Sequence, residues 1–154
     1  MLDTHSPLVA EFLKDHQQFS RLLLAITRLL EENKIDEARQ RARELDQVAG
    51  PHIEYEEREL YARLKELGET RVTNELLVGE HHKIRDAMNL LLENEKLDED
   101  QLQQAKQGFE SGIHHAEHCG SLISLMTRLD SDQQVASLVV LKELRDEGRK
   151  WSEF

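Results

Sequence analysis

The chain has 154 residues, with 31 Asp and Glu against 20 Lys and Arg, a formal charge of −11, and only 7 Gly, 2 Pro and 1 Cys. That length supports a single domain with a substantial core, and the scarcity of Gly and Pro excludes a turn-rich β-sandwich or a disordered linker protein. The acidic surplus argues against nucleic acid or an anionic membrane as a partner, and a lone cysteine excludes an internal disulfide.

The opening stretch, residues 1–16, is charged where a signal peptide needs an apolar core, and no apolar run approaches membrane-spanning length; the cytoplasm is the expected setting. Leu8, Phe12, Phe19, Leu23, Ile26 and Leu30 recur at helical spacing and predict a long first helix, with Pro7 suited to its first turn. Polar residues 31–36 break that pattern. Asp36 is a suitable N-cap for a second helix running to about Leu67, where Gly68 supplies a stop, and Gly50-Pro51 predicts a kink or break within it. A third helix is expected from about Glu69 to Glu95. Asp98 then opens a fourth to about Leu129, in which Gly108, Gly112 and Gly120 suit the close approach of a neighbour. Ser131 and Gln134 make a capping box for a fifth helix from Asp132 to Lys150. The expected fold is all-α: an up-down-up-down antiparallel four-helix bundle over about 7–130, within one domain spanning 1–154. The additional C-terminal helix, about 132–150, either caps the bundle or serves a homodimer interface.

The eight histidines, at positions 5, 16, 52, 81, 82, 114, 115 and 118, are the departure from ordinary composition. His5 is assigned no role. Each bundle helix carries at least one of the others near its middle. His16 shares the stripe of Phe12, Phe19 and Leu23 and should point inward. His52 and Glu56 stand at i,i+4 and present an imidazole and a carboxylate to one side, and His114 and His118 repeat that spacing. An isolated interior histidine is ordinarily a satisfied core residue. One per helix, at matched depth and with two i,i+4 pairs, is instead how bundles build metal sites, and such donors suit iron, manganese or zinc.

The text Asp15-His16, then His52-Ile-Glu-Tyr-Glu56-Glu57 with Leu60-Tyr61, then Glu80-His81-His82-Lys83-Ile84-Arg85 resembles the hemerythrin-like, or HHE cation-binding, family. The resemblance covers about residues 7–130. Its pattern is a His on helix one, His-x-x-x-Glu on helix two, Glu-His on helix three and His-x-x-x-Glu on helix four. It implies a non-haem di-iron centre with an oxo or hydroxo bridge, terminal histidines and bridging carboxylates, and O2, nitric oxide or peroxide as the small ligand. It also selects His81 over His82.

The fourth helix departs from the family text. Setting His52 over His114 places Leu60 over Leu122 and Tyr61 over Ile123, and in that register His118 takes the position of Glu56. The expected metal set is therefore His16, His52, Glu56, His81, His114 and His118. The alternative register, starting at His115, puts Cys119 in the ligand place and throws Leu122 and Ile123 off the apolar face; His115 and His82, about 100° around their helices, are expected at interhelical edges. Imidazole neither bridges nor neutralises two cations as a carboxylate does. Compensation is expected from a weightier oxide or hydroxide bridge, from Glu59 or Glu110 with Tyr55 as a further oxygen donor, or from weaker occupancy of one position. Glu57 and Glu117 are expected to face solvent or to fix a histidine tautomer, and Cys119 to be a small buried hydrophobe. Binding or sensing of a diatomic ligand or peroxide leads, an oxidoreductase using the same centre follows, and a metal-free helical module comes last. No electron donor or protein partner is specified.

Overall fold

A computed structural model describes residues 6–68 and 77–154, with the side chains of 117–121 outside the description. Among the described residues the chain is helical and contains no strand. Helix α1 spans Pro7–Glu31, α2 Ile35–Tyr55, α3 Tyr61–Glu66, α4 Val78–Glu93, α5 Glu99–Met126 and α6 Ser131–Glu147. A π turn, Glu56–Leu60, joins α2 to α3 without a break, and a 3-10 turn occupies Trp151–Glu153. Helix α2 packs against α1, α4 and α6, while α5 packs against α1 and α4. No helix of the described residues is long and apolar enough to cross a membrane.

The helix ends follow local chemistry. Asp98 caps α5 and exchanges side-chain and main-chain hydrogen bonds with Gln101, satisfying N–H groups that a helix start leaves orphaned. The box on α6 sits one residue earlier than the Ser131–Gln134 expectation: Asp130 accepts from the Gln133 N–H at 2.8 Å. Helix α2 likewise begins at Ile35, so Asp36 lies in its first turn and pairs with Arg39 at 2.8 Å instead of capping. Gly68, at φ +93°, terminates the α3 turn as the sequence suggested. The expected start of the third helix at Glu69 falls outside the described residues.

Gly50-Pro51 does not break α2. The helix runs through to Tyr55, and its geometry changes only at the π turn, where the Tyr61 N–H reaches back to the Glu56 carbonyl. Gly108 has a packing reason: a Cβ there would stand 2.4 Å from the Ala87 Cβ of α4, so α5 and α4 are in backbone-close contact.

Two apolar clusters flank a polar layer. One gathers Phe19 to Leu30 of α1, Ala38 to Ile53 of α2, Ile84 to Leu91 of α4, and Ala105 and Phe109 of α5. The other gathers Leu8 to Phe12, Tyr55 to Leu64, Leu77, Leu122 to Leu129, and Leu141 and Leu144 of α6. On α1, α2, α4 and α5 the change from one cluster to the other falls near the histidines.

Candidate metal centre

Among the described residues the polar layer holds four buried donors. Glu56 is 0% exposed, His81 and His115 are 1% exposed, and His52 is 2% exposed. One ligand atom from each of Glu56, His81 and His115 lies within 4.8 Å of the others. The Nε2 atoms of His81 and His115 face each other at 2.9 Å. Glu56 Oε1 lies 2.8 Å from His52 Nε2 and 4.0 Å from His81 Nε2, while its Oε2 accepts from the Tyr61 hydroxyl at 2.8 Å. That hydroxyl is also 3.4 Å from His81 Nε2.

The outer face of each ring has its own partner, supplied each time by the preceding bundle helix. Asp15 of α1 stands 3.7 Å from His52 Nδ1. Glu57 of the π turn is 3.0 Å from His81 Nδ1, and Glu80 of α4 is 3.0 Å from His115 Nδ1. The circuit closes at the main-chain oxygen of Ala116 in α5, which takes the Nε2 of His16 in α1. A carboxylate at Nδ1 favours the tautomer with the proton there, leaving the Nε2 lone pair bare. For His81 and His115 the result is two lone pairs 2.9 Å apart, an arrangement that repels unless a cation, metal or proton, lies between them.

Burial and charge act together on the titrating groups. Burial opposes protonation of His52, but Glu56 and Asp15 outweigh it and raise its pKa to about 9. Burial likewise opposes ionisation of Glu56, yet His52, His81 and His115 hold its carboxyl well below the usual range. Burial depresses His81 despite the carboxylates of Glu57 and Glu56, and it depresses His16 as well. Such shifts, with a specific charge partner for each group, are common at functional sites.

The expected residues are distributed as follows. His52, Glu56 and His81 meet in the cluster. His16 is half-buried on the inner side of α1, stacked on Phe12, with Nε2 committed to Ala116. The register chosen for α5 is corrected: His114 is exposed and His115 is the inward residue. The reason is the π turn. It adds one residue between His52 and the apolar pair, so His52 to Leu60 spans eight positions, whereas His115 to Leu122 spans the seven of two regular turns. His115 and buried Leu122 therefore share a face, and Leu122 is not lost by choosing His115. His118, Cys119 and Glu117 lie outside the described side chains. Glu59 is turned to Arg63, Glu110 is exposed, and Tyr55 donates to or accepts from Ser137 at 2.7 Å in the second apolar cluster. None of the three reaches the layer. His82 is exposed.

Sequence reasoning missed Tyr61, Asp15 and Glu80 as partners of the layer. Each acid stands next in sequence to a residue already singled out, as Asp15-His16 and Glu80-His81, and that adjacency was the available signal. Tyr61 carries none, because residues five apart are about 140° apart on a regular α-helix. The wide turn is what brings its hydroxyl onto Glu56.

The fold and this layer define a helical protein with a buried His/carboxylate group that can hold a metal ion. The family profile described as Hemerythrin HHE cation binding domain matches residues 8–122. The chain belongs to the hemerythrin HHE cation-binding family. No curated protein and no solved structure matches it.

Proposed function

We propose that this protein is a hemerythrin-like non-haem iron protein, with a di-iron centre in the polar layer that binds or senses O2, nitric oxide or peroxide. The observation that carries the reading is the pair of Nε2 atoms at 2.9 Å, each backed by a carboxylate at Nδ1. The donors fit a cation: three buried imidazoles and one buried carboxylate suit iron, manganese or zinc, and family membership favours iron. Glu56, His81 and His115 would hold one ion, with His52 bound through the side of Glu56 it already faces. Iron supplies open coordination positions and a redox couple. The chain supplies the rest. Glu57 and Glu80 hold the outer protons of two ligands, and Phe12, Phe19, Leu23, Leu60 and Leu122 keep water from the layer. The same reading takes the long helices as an up-down-up-down bundle with α6 as an addition, supported by the alternating order of the two apolar clusters along successive helices. It places the protein in the cytoplasm.

Tyr61 favours a second reading. Its hydroxyl, within 2.8 Å of Glu56 and 3.4 Å of His81, puts a proton donor at the centre, which suits an oxidoreductase that reduces peroxide or nitric oxide. Iron analysis with an optical spectrum tests the metal. Stopped-flow mixing of the reduced protein with O2 or nitric oxide then tests ligand binding, and unchanged visible bands would refute it. Turnover lost in a His81→Ala, His115→Ala variant would select the enzyme. Protein purified without chelators that retains no transition metal would leave only the helical-module alternative.

A further inference from the structure

The segment from Arg149 to Phe154 lies beyond the family match and is tied across α2 by contacts of its own. At Gly50 an added Cβ would stand 2.0 Å from the Arg149 carbonyl oxygen and 2.9 Å from the Trp151 nitrogen, so the glycine is what lets the two backbones pass. One turn earlier, Asp46 accepts from the Ser152 N–H at 2.7 Å and from its hydroxyl at 2.8 Å. One turn later, buried Glu54 pairs with Arg149 at 2.8 Å, and that guanidinium lies 4.9 Å over the Phe154 ring. Arg85 of α4 donates to the Phe154 main-chain oxygen.

These ties hold one large side chain in place. Trp151 is 2% exposed, and its ring stands perpendicular to that of His81 with centroids 6.4 Å apart. It is also 6.1 Å from Phe19, whose ring neighbours both His52 and His115. Ser152 and Glu153, the next residues, are exposed. Solvent is on one side of the segment and the polar layer on the other, with the indole between.

We propose that the 149–154 segment is a plug over the His81 side of the centre, and that Trp151 sets how readily water and small ligands reach it. The inference deepens the cation-site reading, and only its metal arm rests on that reading. Apart from the buried Trp151 and the Phe154 packed on the same cluster, the segment is fastened by polar contacts that water can replace, so it can open locally while α2 and α4 stay folded. Closed, it presents only an aromatic wall to the layer, which admits neutral diatomics more readily than hydrated anions.

The test uses wild type, Trp151→Ala, Trp151→Phe and Asp46→Ala. In metal-free protein, diethyl pyrocarbonate modification of His81 is followed by fragment-ion mass, which separates it from its exposed neighbour His82, with exposed His114 as the internal standard. Each 1.4 kcal/mol of lost closure is tenfold in accessibility, so the reaction should be at least about tenfold faster in Trp151→Ala and intermediate in Asp46→Ala. Trp151→Phe should stay near wild type. In Co(II)-loaded protein, extraction by EDTA should accelerate in the same order. Equal His81 rates in all four proteins overturn the plug, whatever the cobalt arm shows. A wild type that takes no Co(II) but shows the His81 contrast overturns the cation reading and supports the plug. Should Trp151→Ala lose its helical circular dichroism, Asp46→Ala decides, since its substitution leaves the indole intact.

Discussion

Replacing His115 and His114 one at a time gives opposite expectations for adjacent residues. His115 is 1% exposed, with Nε2 2.9 Å from His81 and Nδ1 3.0 Å from Glu80, whereas His114 is exposed. Structural four-ligand zinc sites are worth about 10–16 kcal/mol, so one ligand accounts for roughly 3 kcal/mol, or about a hundredfold in Kd. His115→Ala should therefore weaken metal binding by about that factor, while a surface change such as His114→Ala should stay within about twofold. Co(II) titration by visible absorption, against a competing chelator of known affinity, reads both numbers. Circular dichroism confirms that each variant is folded. Equal losses in the two variants, or a larger loss for His114→Ala, would refute the α5 register and with it the assignment of His115.

Other perturbations test the surroundings of the layer. Glu57→Gln and Glu80→Gln each remove a carboxylate from a histidine Nδ1 at 3.0 Å and should cost about 10–100-fold in Co(II) affinity with little change in melting temperature. Gly108→Ala forces a methyl to 2.4 Å from the Ala87 Cβ and should destabilise by about 1–3 kcal/mol in urea titration. Gly79→Ala, with nothing within 4 Å of the added carbon, should instead stabilise α4 by up to about 1 kcal/mol. In the metal-free protein His52 keeps its proton up to about pH 9, above its ordinary 6.5. Its contribution is fully present below pH 6.5 and lost as pH rises through 9, so the melting temperature should fall over that window, and His52→Gln should flatten the fall.

The helical fold, the cap at Asp98, the stop at Gly68 and the inward faces of His52, Glu56 and His81 were legible because each follows from local chemistry or a regular period. What the sequence concealed was an interruption of that period. A repeat aligned on Leu60 and Leu122 is correct on the far side of the layer and one residue out on the near side, because the Glu56–Leu60 turn holds an extra residue that α5 lacks. Nothing in Glu-Glu-Arg-Glu-Leu announces a wide turn; it is set by packing. Gly50-Pro51 misled for a related reason. Its glycine answers to a chain segment a hundred residues away, and Pro51 is accommodated within a helix packed on several sides.

The same turn bears on the charge of the proposed centre, which has one inner carboxylate, Glu56, among the described residues. Two dications facing Glu56 alone would leave three positive charges in a layer from which apolar clusters exclude water, at a desolvation cost that a lone carboxylate does not offset. Glu57 and Glu80 stand one atom layer further out, on the histidines themselves, with Asp15 shared between His52 and Arg145. Negative charge on the outer nitrogen of an imidazole raises its basicity at the inner one, so neutralisation reaches the centre through the rings. Each of these acids comes from the helix preceding the histidine it serves. Positioning a ligand is thereby coupled to the docking of two helices, and Glu57 can serve α4 while Glu56 faces inward because the two sit side by side where the π turn begins. Among the described residues, the carboxylates other than Glu56 thus stand behind the histidines, where they act on the site through the rings.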